Sequence, residues 1–593
     1  MLDFDGRVVD RRQEMIDLLT AVESAGRAAG ACILISGVPG VGKSTLVQAF
    51  GAEISERSCV FAYGRCRDGA PAPYAALGEA LSALVRTMES TPAAERQHWR
   101  SALTSGTQPI AVVLEELVPE LAHLDAPAED VTVVHAADAR RRLHRAVIQL
   151  LSETAAFRPV VLAIDDLQWA DRDSLMFLSE LLTVSLRNVL VVGAHRAGEF
   201  DPAGAGLTTP TIQRIDLEPL SRLDVEELLA GVSGHSVELG DVAAEFHHRT
   251  DGNPLQVRQL LYRAQQAGAL IPAGPDGQPR WDLRVLSSIE ISASAAEFLG
   301  RYLDQLRPAD RAVLRSLTCI GSEFDLDDAT AAAGAPADVV AHARWSALEL
   351  RLIEALDNHG RRIANSISHQ ARYRFSHDRV TESAREGLSA ETQRHVHLRI
   401  GRRLVALGDD RLFEAARHVS LGGGATVETA ERLHFVEVLH RAARKARAQA
   451  SFPLCLDYCR NALSLLGEQR WSSDFDLTLE LQLDAAEAAL LIGDVPALHA
   501  LLDEAEEVLR DPADRARLAY LRLKGRIAQN RLQDALAIGL RALEELGEPL
   551  PPDAGPPRIL TDLCWMQLTA RRGGPAQLLV LPPVDARRRT AEQ

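Results

Sequence analysis

Residues 31–45 read Ala31-Cys32-Ile33-Leu34-Ile35-Ser36-Gly37-Val38-Pro39-Gly40-Val41-Gly42-Lys43-Ser44-Thr45. A short apolar run leads into Gly, any four residues, then Gly-Lys-Ser, placed where a buried strand turns into a helix. Phosphate chemistry explains the spacing. Gly37, Gly40 and Gly42 tolerate backbone conformations closed to other residues, so successive N–H groups of residues 37–45 can point inward at phosphate oxygens. The helix beginning near Lys43 adds its positive N-terminal end, Lys43 adds a full charge, and the Ser44 hydroxyl can ligate Mg2+. The bland alternative is a Gly-rich strand-to-helix turn with a chance Lys-Ser, and the strand, loop and helix context speaks against it. The stretch reads as a nucleoside triphosphate cradle, with ATP and Mg2+ as its expected ligands.

Working outward, residues 32–36, 59–63, 160–164, 189–194 and 212–217 are short runs rich in Val, Ile and Leu, separated by helical segments. That pattern predicts a parallel sheet covered on both faces over residues 1–220. The run Pro159-Val160-Val161-Leu162-Ala163-Ile164 ends in Asp165-Asp166. Asp165, at the carboxyl end of its strand, is placed to hold Mg2+ through water, and Asp166 to orient or polarise the attacking water. Both acids capping a turn is the competing reading. Asp171 and Asp173, just before an apolar helical run, read as helix caps. The fourth run ends in His195-Arg196, where Arg196 can reach the terminal phosphate or simply form a surface ion pair. Gly252-Asn253-Pro254 opens a helix and reads locally as a turn.

The chain has 593 residues, a net charge of −17, 46% hydrophobic and only 5% aromatic residues. At about 150 residues per domain that length predicts about four units. The acidity offers a nucleic-acid partner no electrostatic support. Seven scattered cysteines, two of them (Cys455 and Cys459) one helical turn apart, lack the partners of a zinc site. They read as reduced thiols of a cytoplasmic protein. The first residues show no signal-peptide pattern, and no run approaches the ~18 apolar residues of a membrane span. His247, His248, His395 and His397 lack acidic or thiol partners at metal-ligand spacing and read as structural. Protease elbows and the protein-kinase motif set are absent from the sequence.

Residues 221–290 turn helical, with three-to-four spacing over 223–229 and 243–264. Residues 291–395 carry short helices followed by two strand-like segments, 351–355 and 373–376, the outline of a winged-helix unit. From 396 to 550 helix follows helix. Aligning Ala462, Ala505 and Ala542 gives steps of 43 and 37 residues. Tetratricopeptide repeats have a period of 34, so an irregular α-solenoid stays open beside them. Residues 551–593 are rich in Pro, Gly and Arg and read as a disordered tail.

These residues resemble a known family. Asp165-Asp166-Leu167-Gln168-Trp169-Ala170-Asp171 with Ser174-Leu175 is similar to the Walker B region of AAA ATPase modules in bacterial signalling proteins of the STAND class, signal-transduction ATPases with numerous domains. Phe4-Asp5-Gly6-Arg7 looks like the opening motif of that module, which implies that Gly6 and Arg7 lie near the base. Gly252-Asn253-Pro254-Leu255 is similar to the Gly-x-Pro motif, which implies Pro254 beside the nucleotide, and Arg196 falls at the sensor position. Tyr373 to Val380 and His397 to Gly401 look like hybrid proteins joining such an ATPase to protein-kinase and histidine-kinase domains. Residues 537–547 fit the helical repeats of the same proteins. The resemblance implies a P-loop NTPase of ASCE type with parallel sheet order 5-1-4-3-2, and it implies that His377 touches the β-phosphate of bound ADP.

The expectation is therefore an ATP-dependent switch with slow hydrolysis, followed by a helical lid, a winged-helix unit and a repeat region that binds a protein partner. Kinase output domains, fused or associated, and an ATP-dependent oligomer belong to the same expectation. Because this sequence shows no kinase before residue 4 and no output domain after residue 550, a stand-alone regulator and a fragment both stay open. Two other readings remain: a LuxR-type transcription regulator without its DNA-binding module, and a repeat scaffold with a degenerate ATPase.

Overall fold

The computed structural model describes residues 11–548, except 27–30, 68–71, 105–112, 116, 123–135, 185, 209–211, 234–238, 272–279, 290–305, 322, 351, 357–370, 376–380, 382–383, 386 and 424–428. Gly6, Arg7, His377 and the tail expectation for 551–593 lie outside the described residues. The chain divides into two compact units, residues 1–425 and 426–593.

The first unit is built on five parallel strands: β1 (Ala31–Gly37), β2 (Val60–Arg65), β3 (Val160–Asp165), β4 (Val189–Arg196) and β5 (Ile212–Leu217), in the order β2-β3-β4-β1-β5. This is the P-loop NTPase sheet, with the phosphate-loop strand and the Asp165 strand separated by the strand of Arg196. Every residue of β3 and of β4 is buried, because helices cover both faces, and the polar Asp165, His195 and Arg196 stand at their carboxyl ends. The pleat sends alternate side chains to opposite layers. Ile33, Ile35, Val161, Ala163, Leu190 and Val192 pack with Leu18 of the helix Arg12–Ala25 and Phe50 of the helix Lys43–Ser55. Leu34, Val60, Leu162 and Val191 pack on the other side, with Leu81 of Ala75–Glu89, Leu150 of Ala136–Ala155 and Phe177 of Arg172–Val184. Each fully buried side chain of this size contributes about 1.5–3 kcal/mol. Two strands run further than their apolar runs suggest. β2 reaches Arg65 and β4 reaches Arg196, and both ends matter below.

Residues 222–288 form a helical group with its own core around Val225, Leu229, Phe246, Leu260 and Leu261. The helical spacing seen over 243–264 is broken into two helices, Gly240–Thr250 and Pro254–Gln266. The short pair β6 (Leu270–Ile271) and β7 (Arg280–Trp281), unforeseen in the sequence, follows. Next come helices Pro308–Leu317, Leu326–Ala333 and Ala337–Glu349, with a three-stranded antiparallel sheet: β8 (Glu323–Phe324), β9 (Ile353–Ala355) and β10 (Tyr373–Phe375), in the order β8-β10-β9. β8 is too short to show a period in the sequence. The helices Ala390–Ala406 and Leu412–Gly422, grouped by sequence with the repeats, fall within the first unit.

The second unit is a succession of helix hairpins: Thr429–Ala448 with Phe452–Leu466, Phe475–Ile492 with Val495–Val508, and Pro512–Ala528 with Leu532–Glu545. Ala462, Ala505 and Ala542 each stand on the second helix of a hairpin. The first step of their alignment is longer because a short extra helix, Arg470–Ser473, is inserted between the first two hairpins. Among the described residues no helix is long and apolar enough to cross a membrane.

Candidate functional site

The phosphate loop leaves β1 at Gly37 and enters the helix at Lys43. Gly40 and Gly42 hold φ of +82° and +105°, the region open to glycine, and a side chain at Gly40 would collide with Leu255 and Asn253. Lys43 is buried, and its Nζ donates to the carbonyls of Gly37 (2.9 Å) and Val38 (3.2 Å). Burial pushes its pKa down, while Asp166 and Asp165 pull it back up. An ammonium held this way gains by trading loop carbonyls for phosphate oxygens.

Asp165 is fully buried at the end of β3. The Tyr63 hydroxyl donates to its Oδ2 (3.0 Å), the Asp166 N–H donates to its Oδ1 (2.9 Å), and the Ser44 hydroxyl donates to it as well. Burial and the adjoining Asp166 carboxylate push Asp165 upward, so the chain leaves its charge under-compensated. A hydroxyl and a carboxylate set together are hard oxygen donors, and a divalent cation would supply the missing positive charge. That donor set fits Mg2+, which takes few protein ligands and fills its shell with water and phosphate oxygen. Among the described residues no group of three His, Cys, Asp or Glu side chains is arranged to hold a metal by itself.

Asp166 sits in the left-handed region at φ 56°. Its Oδ2 accepts from Arg65 Nε at 2.7 Å and its Oδ1 accepts from Gln168 Nε2 at 2.9 Å. Gln168 also takes the Arg196 N–H (3.1 Å), tying the ends of β3 and β4 together. Arg196 is buried, paired with Glu199 (3.1 Å), and its guanidinium lies 5.8 Å from the Trp169 ring. It therefore both forms an ion pair and lines the cleft. Asp171 caps the helix Arg172–Val184 by accepting the Ser174 N–H (2.9 Å), whereas Asp173 lies within its first turn.

Gly252-Asn253-Pro254 does more than turn the chain. Asn253 caps the helix Pro254–Gln266 through the N–H groups of Leu255 and Gln256, and its Nδ2 donates to the Pro39 carbonyl (3.0 Å). The Leu255 N–H reaches the Gly40 carbonyl (3.3 Å). Gly252, at φ +69°, lies so close to Leu220 that any side chain would meet its carbonyl at 2.0 Å.

A cleft of about 430 Å³ joins these groups. Pro39, Gly40, Gly42, Lys43, Ser44, Thr45, Asp166, Arg196 and Pro254 all line it, so most of the residues proposed from sequence come together on one surface. Val38 and Val41 do not line it: Val38 is exposed and Val41 is buried in the sheet's helix layer. A further wall carries Thr318 at the end of the helix Pro308–Leu317, Glu323 and Arg374 of the three-stranded sheet, and Arg385 and Arg417 beyond it. Sequence reasoning expected the winged-helix segment beside the nucleotide but missed Arg65, Gln168, Asn253 as a clip, and the residues Thr318, Glu323, Arg374, Arg385 and Arg417 that line the cleft. Only Gln168 and Asn253 had a signal, by their place inside motifs already quoted. His397, read as structural, lies against His418 with the rings tilted by 40° and Nδ1 atoms 2.9 Å apart.

Residues 7–192 match the family described as the AAA ATPase domain. Hybrid signal transduction histidine kinase G of Dictyostelium discoideum is 20% identical over 91% of this chain, but the match covers only 19% of that protein. The chain thus spans about a fifth of the curated relative it matches. Among solved structures, a STAND protein with a tetratricopeptide repeat sensor from Pyrococcus horikoshii is 14% identical, covering 91% of this chain and 71% of that one at a TM-score of 0.44. The Aeropyrum pernix ORC1 protein in complex with DNA is 12% identical, covering 64% of this chain and 94% of its own at a TM-score of 0.28.

Proposed function

We propose, on the premise that residues 7–192 are an AAA ATPase domain, that this chain binds ATP with Mg2+ and hydrolyses it slowly as a regulatory switch. The observation that carries this reading is the cleft in which Lys43, Ser44, Asp166 and Arg196 meet beside the buried Asp165. The loop amides and Lys43 bind the phosphates, and Ser44 with Asp165 would hold the metal. When bound, Mg2+ neutralises charge on the phosphate oxygens. Asp166 orients a water toward the γ-phosphorus. As the new P–O bond forms, the bond to the β,γ-bridging oxygen breaks, ADP and phosphate separate, and the water's proton passes to Asp166 or to the phosphate. Arg196 steadies the charge that develops on the leaving side.

The regulatory part of the proposal rests on architecture. The cleft is closed by a segment that we read as a winged helix, and the hairpins of the second unit are a surface suited to a protein partner. A cytoplasmic location, nucleotide-dependent assembly and a kinase as output complete the reading. Lys43→Ala is expected to weaken Mg-ATP binding at least a hundredfold by calorimetry. Asp166→Asn is expected to keep affinity within threefold of wild type while phosphate release falls to background. Wild-type affinity in Lys43→Ala would remove the site assignment. Unchanged turnover in Asp166→Asn would remove that residue's role.

A further inference from the structure

Eight cationic side chains line the cleft against three carboxylates, in a chain whose net charge is −17. Binding one Mg-nucleotide on the sheet side calls for Lys43 and Arg196, so the charge is far more than the phosphate loop needs. Part of it is already matched. Arg65 pairs with Asp166 at 2.7 Å, Arg67 with Glu79 and Glu323 at 3.3 Å each, and Arg374 with Glu354 at 3.2 Å. Arg385 and Arg417 line the same cleft as the phosphate loop, each with contacts of its own. Arg385 donates to the Thr318 carbonyl (3.0 Å) where the helix Pro308–Leu317 ends, and Arg417 projects from the helix Leu412–Gly422.

We infer that Arg385 and Arg417 recognise the terminal phosphate of the nucleotide from that further wall and make the cleft selective for a triphosphate over a diphosphate. The inference rests on the nucleotide reading above and adds the groups that tell the two nucleotides apart. A guanidinium suits this role because it stays charged and its planar fork matches phosphate oxygens. The resemblance gave a phosphate-reading role to His377, and these two arginines line the cleft by independent observation. Their field is felt locally. His397 is driven down to about 4, first by burial, then by Arg417 and Arg385, and at Cys319 the same two arginines oppose the rise that burial imposes.

The wall is also held in position. Glu323 on β8, which lines the cleft, accepts from Arg67 of the sheet side (3.3 Å) and from Arg372 (2.9 Å). The ordering needed to bring the arginines to a phosphate is therefore largely supplied by the fold. A triphosphate carries one phosphoryl group more than a diphosphate, and that group carries the discriminating charge.

The test measures Kd for Mg-ATP and Mg-ADP by calorimetry on the full chain, as wild type and as the double variant Arg385→Gln/Arg417→Gln. The double variant is expected to lose at least tenfold in ATP affinity while ADP affinity stays within threefold. Equal losses for both nucleotides, or an unchanged ratio, overturn the inference. Wild-type protein that binds neither nucleotide overturns the underlying nucleotide reading instead. Should the double variant fail to fold by circular dichroism, Arg385→Lys/Arg417→Lys and the single Arg417→Gln carry the same comparison. The lysine pair is expected to retain more of the ATP preference than Arg417→Gln, and the reverse order counts against the inference.

Discussion

Asp166 illustrates how a single residue is held ready and restrained together. Its left-handed backbone is a conformation that costs of order 1–3 kcal/mol for a residue with a side chain, and the bond from its N–H to the Asp165 carboxylate helps to hold it. Both of its carboxylate oxygens accept hydrogen bonds, one from the Arg65 guanidinium and one from Gln168. A water that approaches this carboxylate must share its oxygens with Arg65 and Gln168. On the proposed reading, Arg65 competes with the attacking water for Asp166. Arg65→Gln removes the charge and is expected to raise basal phosphate release several-fold, with ATP affinity within threefold of wild type. A fall in turnover at unchanged affinity would instead make Arg65 a direct participant in the reaction.

At the scale of the element, the helix Pro254–Gln266 and the phosphate loop share one side chain. Asn253 uses its oxygen to cap the helix and its nitrogen to hold the Pro39 carbonyl. The two jobs separate by substitution. Asn253→Asp keeps the capping oxygen and loses the donor, so stability is expected to change by less than about 0.5 kcal/mol if only the cap matters, since Asn and Asp cap equally well. Nucleotide affinity is expected to fall five- to tenfold, because the loop loses its outer support and a negative charge approaches the phosphates. Asn253→Ala loses both and is expected to destabilise by about 1 kcal/mol more. Thermal melts and calorimetry on the two variants decide. Equal affinity in Asn253→Asp and wild type would show that the clip has no bearing on binding.

At the scale of the molecule, every residue of the candidate site belongs to the first of two compact units, each with its own packed helices. A ligand stabilises only what it binds. At a hundredfold excess over Kd, Mg-ATP adds about 2.7 kcal/mol to the unit that holds it. Scanning calorimetry of the full chain is expected to show one transition rising by a few degrees with Mg-ATP while a second stays within a degree. One transition moving as a whole would mean that the two units unfold together.

What the amino-acid sequence determined by itself is local chemistry. The glycine spacing of residues 37–42, Lys43-Ser44 and the acid pair closing an apolar run are legible because loop, charge and strand are contiguous in the chain. The strands β1, β3 and β4 are legible for a similar reason, since burial on both faces writes a nearly unbroken apolar run, whereas β2 and β5 show only alternating or scattered apolar residues. The order of those strands came from resemblance, since periodicity says nothing about which strands are neighbours. Tertiary structure alone decided what crosses the cleft. Arg65 meets Asp166 from 101 residues away, Asn253 meets Pro39 from 214, and Arg67 meets Glu323 from 256. An arginine on a strand end or a helix face carries no signature of its partner, because its charge satisfies solvent equally well until packing brings a carboxylate or a phosphate within reach.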